Sequence, residues 1–412
     1  MTNLQDIVRS HMGEASLFSQ HQKNSLRQIA RCGTPENGEI VMACGSCNQT
    51  KRFWASCGNR YCNRCGSHRN AEWLDKRMQD MLPIPHFMVT FTIPGHLREL
   101  FYANQEHCYG LLFSKSVECL RAALEVEWGA HVKTGFASFL HTWTQDLRYH
   151  PHVHVLVPAG GLSEDEVEWI QPRKKDWLCS YQILSSLFKA KLCEALLGLF
   201  KRGKLKWPNT GKVPENLAVC KNFLLGKKEI HWRTHTSIPK GGDTGAFDYM
   251  ARYVFRSAIG NNRLLSDQDG EISLAVKDRE TGASHTVNLK ADEFMRRLVQ
   301  HILPKGFTRI RWYGILSCAR RKIDTAVVRG ILNNNKLAIS QKGFLEVREK
   351  IRQRLASQAC PGCGAARMFL RSFRIAWDVL KREVGPGGKT ATESMIFGNR
   401  WHCKMDLSAP PN

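Results

Sequence analysis

The sequence predicts an α+β protein with a zinc-binding domain at its N-terminus. Three observations predict it. Short runs of β-branched and aromatic residues bounded by proline or glycine, such as HFMVTFTI at 86–93, read as strands. Longer stretches with apolar residues every three to four positions, such as 97–128 and 176–202, read as amphipathic helices. Six of the 15 cysteines fall within the first 70 residues and include two C-x2-C pairs. At 412 residues the chain exceeds one ordinary core, so we divide it into a cysteine-rich head at 1–70, a mixed body at 71–345 and a tail at 346–412. The tail reads as a helical segment with a C-x2-C pair and a flexible end.

Composition narrows the partners. There are 60 Lys+Arg against 37 Asp+Glu, a net charge of +23, and a chain this basic most often meets nucleic acid. No apolar run reaches the roughly 18–20 residues that span a bilayer. The opening MTNLQDIVRSHM lacks the charged-then-apolar layout of a signal peptide. A cytoplasmic location is expected, with cysteines as reduced thiols or metal ligands.

In the head, Cys44/Cys47 and Cys62/Cys65 are separated by 14 residues. Each C-x2-C turns two thiolates onto one metal, and two such turns close a tetrahedral zinc site. Cys32 and Cys57 remain and could form a second site with His21 or His68. Lys51, Arg52, Trp54, Arg60, Tyr61, Arg64 and Arg69 surround the ligands. Basic and aromatic residues on a zinc scaffold suit nucleic-acid contact, although a solvated surface is the plain alternative.

The body begins with a polar helical stretch at 71–81, the strand at 86–93 and the helix at 97–128. Residues 136–144 (FASFLHTWT) and 152–158 read as strands of an antiparallel hairpin, joined by a turn at 145–149. Within the second, His152 and His154 are two apart, so both imidazoles share one face and suit a metal. His150 shares their parity, but Pro151 follows it, and it reads as a supporting or DNA-contacting residue. Gln145 or Asp146, seven and six residues before His152, could add an oxygen from the neighbouring strand end. Two nitrogens and one oxygen suit Mg²⁺ or Mn²⁺ acting as a Lewis acid.

After the helix at 176–202, a Lys- and Gly-rich connection runs to about 243 and contains a strand at 229–234. The stretch 244–259 (TGAFDYMARYVFRSAI) carries Tyr249 and Tyr253, which lie on one face of a helix beside Arg252 and Arg256. They are either core tyrosines or the paired phenols of an enzyme that holds a cut DNA end covalently. A hairpin follows at 270–276 and 284–289, then a helix at 292–302. A strand at 303–316 puts Arg309, Arg311 and Tyr313 on one face, a strip for a DNA backbone or a half-exposed strand. The tail pair Cys360/Cys363 could be completed by His402 and Cys403, and beyond Arg382 the composition predicts disorder. Gly388-Lys389-Thr390 resembles the end of a phosphate-binding loop, but Glu383 stands where its first glycine belongs, so no ATPase is read.

Taken in order, CGSC…SCGNRYCNRC, HTWTQDLRYHPHVHVLVPAGGL, YMARYVFR with GNNRL, LPKGFTRIRWYGIL and CPGCG cover most of the chain. They resemble the HUH-type two-tyrosine transposases of rolling-circle insertion sequences, the insertion sequence ninety-one family. The resemblance implies an HUH endonuclease-like central antiparallel sheet flanked by helices. It implies His152 and His154 as metal ligands, with Gln145 as the best-placed third, and Tyr249 and Tyr253 as nucleophiles. The zinc head would use Cys44, Cys47, Cys62 and Cys65 with Cys32 and Cys57. The implied activity is metal-dependent nicking and strand transfer of single-stranded DNA through a 5′-phosphotyrosine. Its partners are single-stranded DNA at the element's ends, target DNA and, without an ATPase of its own, a host helicase. Replication initiators and relaxases share this chemistry. A zinc-dependent DNA-binding regulator without enzymatic activity is the alternative from another class.

Overall fold

Alternating apolar and polar positions build a five-stranded antiparallel sheet at the centre of the molecule, in the order Ile310–Gly314, Gly135–Trp143, Tyr149–Pro158, His86–Thr92 and Thr234–Ser237. The architecture is seen in a computed structural model. It describes residues 2–13, 18–65, 77, 81–129, 131–174, 176–209, 211–226, 232–237, 257–278, 281–335, 360, 362–364 and 368–374.

The head contributes α1 (Leu4–Ser10), α2 (Gln20–Ala30), β1 (Glu39–Cys44) and β2 (Thr50–Trp54). Ser19 and Gln22 form a capping box at the start of α2. The body continues with β3 (His86–Thr92), α3 (Arg98–Ala103), α4 (Gln105–Trp128), β4 (Gly135–Trp143) and β5 (Tyr149–Pro158). The single helix expected at 97–128 is broken at Asn104, whose side chain donates to Leu100 O (2.9 Å) and accepts from Lys206 N (2.7 Å).

A two-stranded ribbon, β6 (Gly161–Leu162) and β7 (Trp169–Ile170), precedes α5 (Tyr181–Lys201). The connection expected after α5 contains a further helix, α6 (Leu217–Leu225), started by the Asn216 side chain accepting from Val219 N (3.0 Å). β8 (Thr234–Ser237) begins where the strand expected at 229–234 ends.

A second sheet is formed by β9 (Leu264–Gln268), β10 (Glu271–Lys277) and β11 (Ser284–Lys290), with α7 (Ala291–Val299) after it. β10 and β11 are the expected hairpin; β9 was not anticipated. The long strand expected at 303–316 shrinks to β12 (Ile310–Gly314), because Pro304 and Gly306 (φ +79°) turn the chain before it. α8 (Arg321–Asn334) follows. In the tail, expected to be helical, β13 (Met368–Arg374) is a strand that pairs with β1.

The two faces of the central sheet differ. Phe87, Val89 and Phe91 of β3, Val153, Val155 and Val157 of β5, and Phe136 and Leu140 of β4 form one apolar face. Helices α4 and α5 cover it. In α4, Cys108, Tyr109, Leu112, Phe113, Ser116, Val117 and Leu120 repeat at the three- and four-residue spacing of one helical stripe and are all buried. Each fully buried apolar side chain contributes roughly 1.5–3 kcal/mol. A separate core joins α1 and α2 of the head to Ile259, β10, β11 and α7, so the head does not pack on itself alone.

Candidate active site and metal centres

On the other face of the sheet stand the histidines. His152 and His154 project from β5, and His141 of β4 lies opposite His152 in the register. The ring nitrogens of His141, His152 and His154 lie within 4.8 Å of one another. His141 and His152 are buried and His154 is half-buried. Their ring centroids are 4.8–5.5 Å apart.

Neighbouring groups fix the rings. His152 Nδ1 donates to the backbone oxygen of His150 at 2.7 Å, which leaves Nε2 for a metal. His154 Nδ1 pairs with Thr90 Oγ1 at 2.9 Å. Trp143 stacks on His141 at 5.1 Å with 23° between the planes. Arg98 donates to His150 Nδ1 at 2.9 Å. His150 therefore supports the cluster without joining it, as its place before Pro151 suggested.

Gln145 does not join the cluster. Its side-chain oxygen accepts from Lys277 N at 2.8 Å, and its backbone oxygen accepts from Arg263. Asp146 pairs with Arg148 and accepts from Thr144. The third imidazole of the cluster is that of His141, which the sequence reading passed over. A signal was present: His141 sits in the strand already assigned, and one extra residue in β5 at the β4–β5 irregularity brings it opposite His152.

The β4–β5 turn is braced from α7 and the residues just after it. Arg297 donates to Asp146 O (2.8 Å), and His301 bridges Thr142 Oγ1 (3.1 Å) and Leu147 O (3.0 Å). Leu147 holds a left-handed backbone (φ +62°), rare for a side chain of its size, and is fully buried, so packing offsets the strain. Burial pushes the His301 pKa down to about 4, so the brace is neutral at physiological pH.

Arg309 and Arg311, expected as a DNA strip, occupy other ground. Arg311 lies over the Phe113 ring (4.7 Å) and near Phe307 (5.3 Å), on the helix-covered face. Burial, with the neighbouring Arg60 charge, lowers the Arg309 pKa to about 10. Arg311 thus packs under the sheet, away from the histidines, whereas Arg309, half-buried, lies beside Tyr61 and lines a small cavity with Trp143 and His301. Tyr249, Tyr253, Arg252 and Arg256 lie outside the described residues, as do His68, Arg69, His402 and Cys403.

The thiols form two clusters. Cys32, Cys57, Cys62 and Cys65 lie together, with Cys32–Cys65 at 3.4 Å and Cys57–Cys65 at 3.5 Å. Cys44 and Cys47 lie with Cys360 and Cys363. This overturns the expected site of Cys44, Cys47, Cys62 and Cys65. The β1–β2 hairpin carries the first pair away from the second, and the end of α2 and the segment after β2 bring Cys32 and Cys57 to Cys62 and Cys65. His21, an expected partner, is bonded instead to Leu303 O (3.1 Å). Four sulfurs per cluster fit structural zinc.

The histidine-bearing sheet and the thiol-rich head each coincide with a segment that sequence comparison assigns to transposases. A family model described as "Putative transposase" matches residues 135–323, and one described as "Transposase zinc-binding domain" matches residues 4–93. A protein described as "Putative transposase y4qJ" from Sinorhizobium fredii is 34% identical over 376 residues, covering 88% of this chain and 93% of that one. "Transposase for insertion sequence element IS801" from Pseudomonas savastanoi pv. phaseolicola is 26% identical over 318 residues, 75% of this chain and 73% of that one. No solved structure matches the chain. The chain belongs to the insertion sequence ninety-one family of transposases. Among the described residues, no helix is long and apolar enough to cross a membrane.

Proposed function

We propose that this transposase nicks and transfers single-stranded DNA, with His141, His152 and His154 as the ligands of a catalytic metal ion and Tyr249 and Tyr253 as nucleophiles. The observation that carries the reading is the three-imidazole cluster, whose Nδ1 partners on His152 and His154 leave the Nε2 atoms for one ion. A divalent ion bound there supplies a Lewis acid that offsets charge developing on a scissile phosphate. Three nitrogens, in place of the expected two nitrogens and an oxygen, weaken the preference for the hard ion Mg²⁺ and favour a softer divalent ion, for which Mn²⁺ and Zn²⁺ are candidates.

Support for the tyrosines comes from the chain on either side of them. Ser257, four residues past Tyr253, lines one small cavity with Trp143 and His301. Four residues of extended chain span at most about 14 Å. At the other end, β8 runs beside β3, with His235 opposite Thr90, the partner of His154.

In the reaction, a tyrosine oxygen forms a bond to phosphorus as the bond from phosphorus to the 3′ oxygen breaks. The phenol gives up a proton and the departing 3′ oxygen takes one up. The products are a 5′-phosphotyrosine and a free 3′-hydroxyl, so rejoining needs no ATP. Two tyrosines let one hold the element's strand while the other cuts the target. The exposed Lys51, Arg52, Phe53 and Trp54 of β2 suit the DNA as basic and stacking contacts. A host helicase would expose the single strand.

The test is a labelled single-stranded oligonucleotide carrying the element's end, incubated with the protein and Mn²⁺ or Mg²⁺. The expected result is a covalent protein–DNA adduct that Tyr249→Phe/Tyr253→Phe cannot form. An adduct of undiminished yield from the double variant would show that the nucleophile lies elsewhere.

A further inference from the structure

Cys44 and Cys47 in the head meet Cys360 and Cys363 in the tail across sequence separations of 313 and 319 residues. We propose that these four thiolates hold a second structural zinc ion, so that the chain binds two, one of them shared between head and tail. The tail cysteines lie outside both segments matched by the family models, 4–93 and 135–323.

The two halves of the site have the same local geometry. In the head, Asn48 N donates to Cys44 O at 3.0 Å, and Asn48 adopts a left-handed backbone (φ +55°). In the tail, Gly364 N donates to Cys360 O at 2.9 Å, and Gly364 is left-handed at φ +71°. Each turn thus closes on its first cysteine, with the left-handed residue just after its second. Such a turn aims both sulfurs of a C-x2-C pair at one point.

The turns face each other. Cys44 Sγ lies 3.5 Å from Cys363 Sγ, and Cys47 Sγ lies 3.5 Å from Cys360 Sγ. Tetrahedral zinc with bonds of about 2.3 Å separates its sulfurs by about 3.8 Å, close to this spacing and far beyond a disulfide bond of about 2.05 Å. Ser46 N points at Cys44 Sγ (3.4 Å), a donor that favours the thiolate. Gly362 of the tail turn lies against the Gln49 side chain of the head turn, which would have to move to admit a Cβ there.

Pairing of β13 with β1 leads into the site, with Met368 opposite Cys44. The metal therefore completes a three-stranded sheet, β13-β1-β2, drawn from both ends of the chain. A cross-link over so long a loop removes more unfolded-state entropy than a local one.

Two measurements on the full chain test this. Elemental analysis should find one zinc ion fewer per chain in Cys360→Ser/Cys363→Ser than in the wild type. An equal zinc content in the two proteins overturns the proposal. The second measurement needs no variant. Cys47, Cys363 and Cys318 are all exposed, and Cys318 belongs to neither cluster. With zinc bound, alkylation of Cys47 and Cys363 followed by mass spectrometry should run at least 10-fold slower than at Cys318, and should approach the Cys318 rate once a chelator is added. Equal rates before chelation, or protection lifted by a reductant and not by a chelator, overturns it.

Discussion

His141 is gripped between the stacked Trp143 ring on its own strand and the two imidazoles of β5. If it ligates the metal, His141→Ala should cost as much cleavage as His152→Ala, at least about 100-fold, since a lost ligand exceeds the 10–100-fold typical of a lost supporting contact. Gln145→Ala should stay within a few-fold of wild type in adduct yield. It should instead lower stability by about 1 kcal/mol, because its side chain bonds Lys277 N and not the metal. The reverse order in an adduct assay, with Gln145→Ala inactive and His141→Ala active, would restore the ligand set expected from sequence. The two histidines of β5 were legible from their spacing alone, because period-two geometry is local. The third was not, because the choice between His141 and Gln145 depends on Lys277, 132 residues away.

Between β5 and the helix layer, a buried pair sets how firmly the site strand is held. Tyr109 of α4 and Tyr149 of β5 share a hydrogen bond at 2.6 Å, both side chains buried. Burial raises both phenol pKa values, so the pair stays neutral and plays no part as a nucleophile. Tyr109→Phe leaves the Tyr149 hydroxyl without this partner and should destabilise by about 1–3 kcal/mol, whereas Tyr109→Phe/Tyr149→Phe should recover most of the loss. Thermal or urea unfolding of the three proteins checks the order. At this scale the strands β3, β4 and β5 were readable, each being a β-branched and aromatic run with a punctuated end. β9, α6 and α8 were missed: α6 (LAVCKNFLL) is a short apolar run inside a polar connection, β9 is five residues long, and the amphipathic repeat of α8 is interrupted by Gly330.

For the molecule as a whole, two buried histidines couple stability to pH. Burial lowers the pKa of both His86 and His301 to about 4 from an ordinary value near 6.5. Both are neutral when folded, while the unfolded chain takes up protons below pH 6.5. Between pH 6.5 and 4 the unfolded state therefore binds more protons, and stability falls as pH falls, by up to about 3 kcal/mol for each group. Above pH 6.5 the contribution is flat. The gap in melting temperature between wild type and His86→Gln should accordingly narrow as pH drops from 6.5 toward 4. A gap independent of pH would contradict the assignment for His86.

The sequence by itself determined the class of fold, the face shared by His152 and His154, the zinc-binding character of the head and the likeness to its family. All of these rest on short-range spacing, on composition or on motif order. Only the tertiary structure decided which groups meet. It drew His141 into the cluster and gave Gln145 to Lys277, turned Arg311 under the helices and set Arg309 beside Tyr61, and divided the cysteines between Cys32/Cys57/Cys62/Cys65 and Cys44/Cys47/Cys360/Cys363. The physical reason is the same in each case. A spacing of two or four residues fixes which side chains share a face, but partners on different elements are set by strand register and by chain reversals hundreds of residues apart.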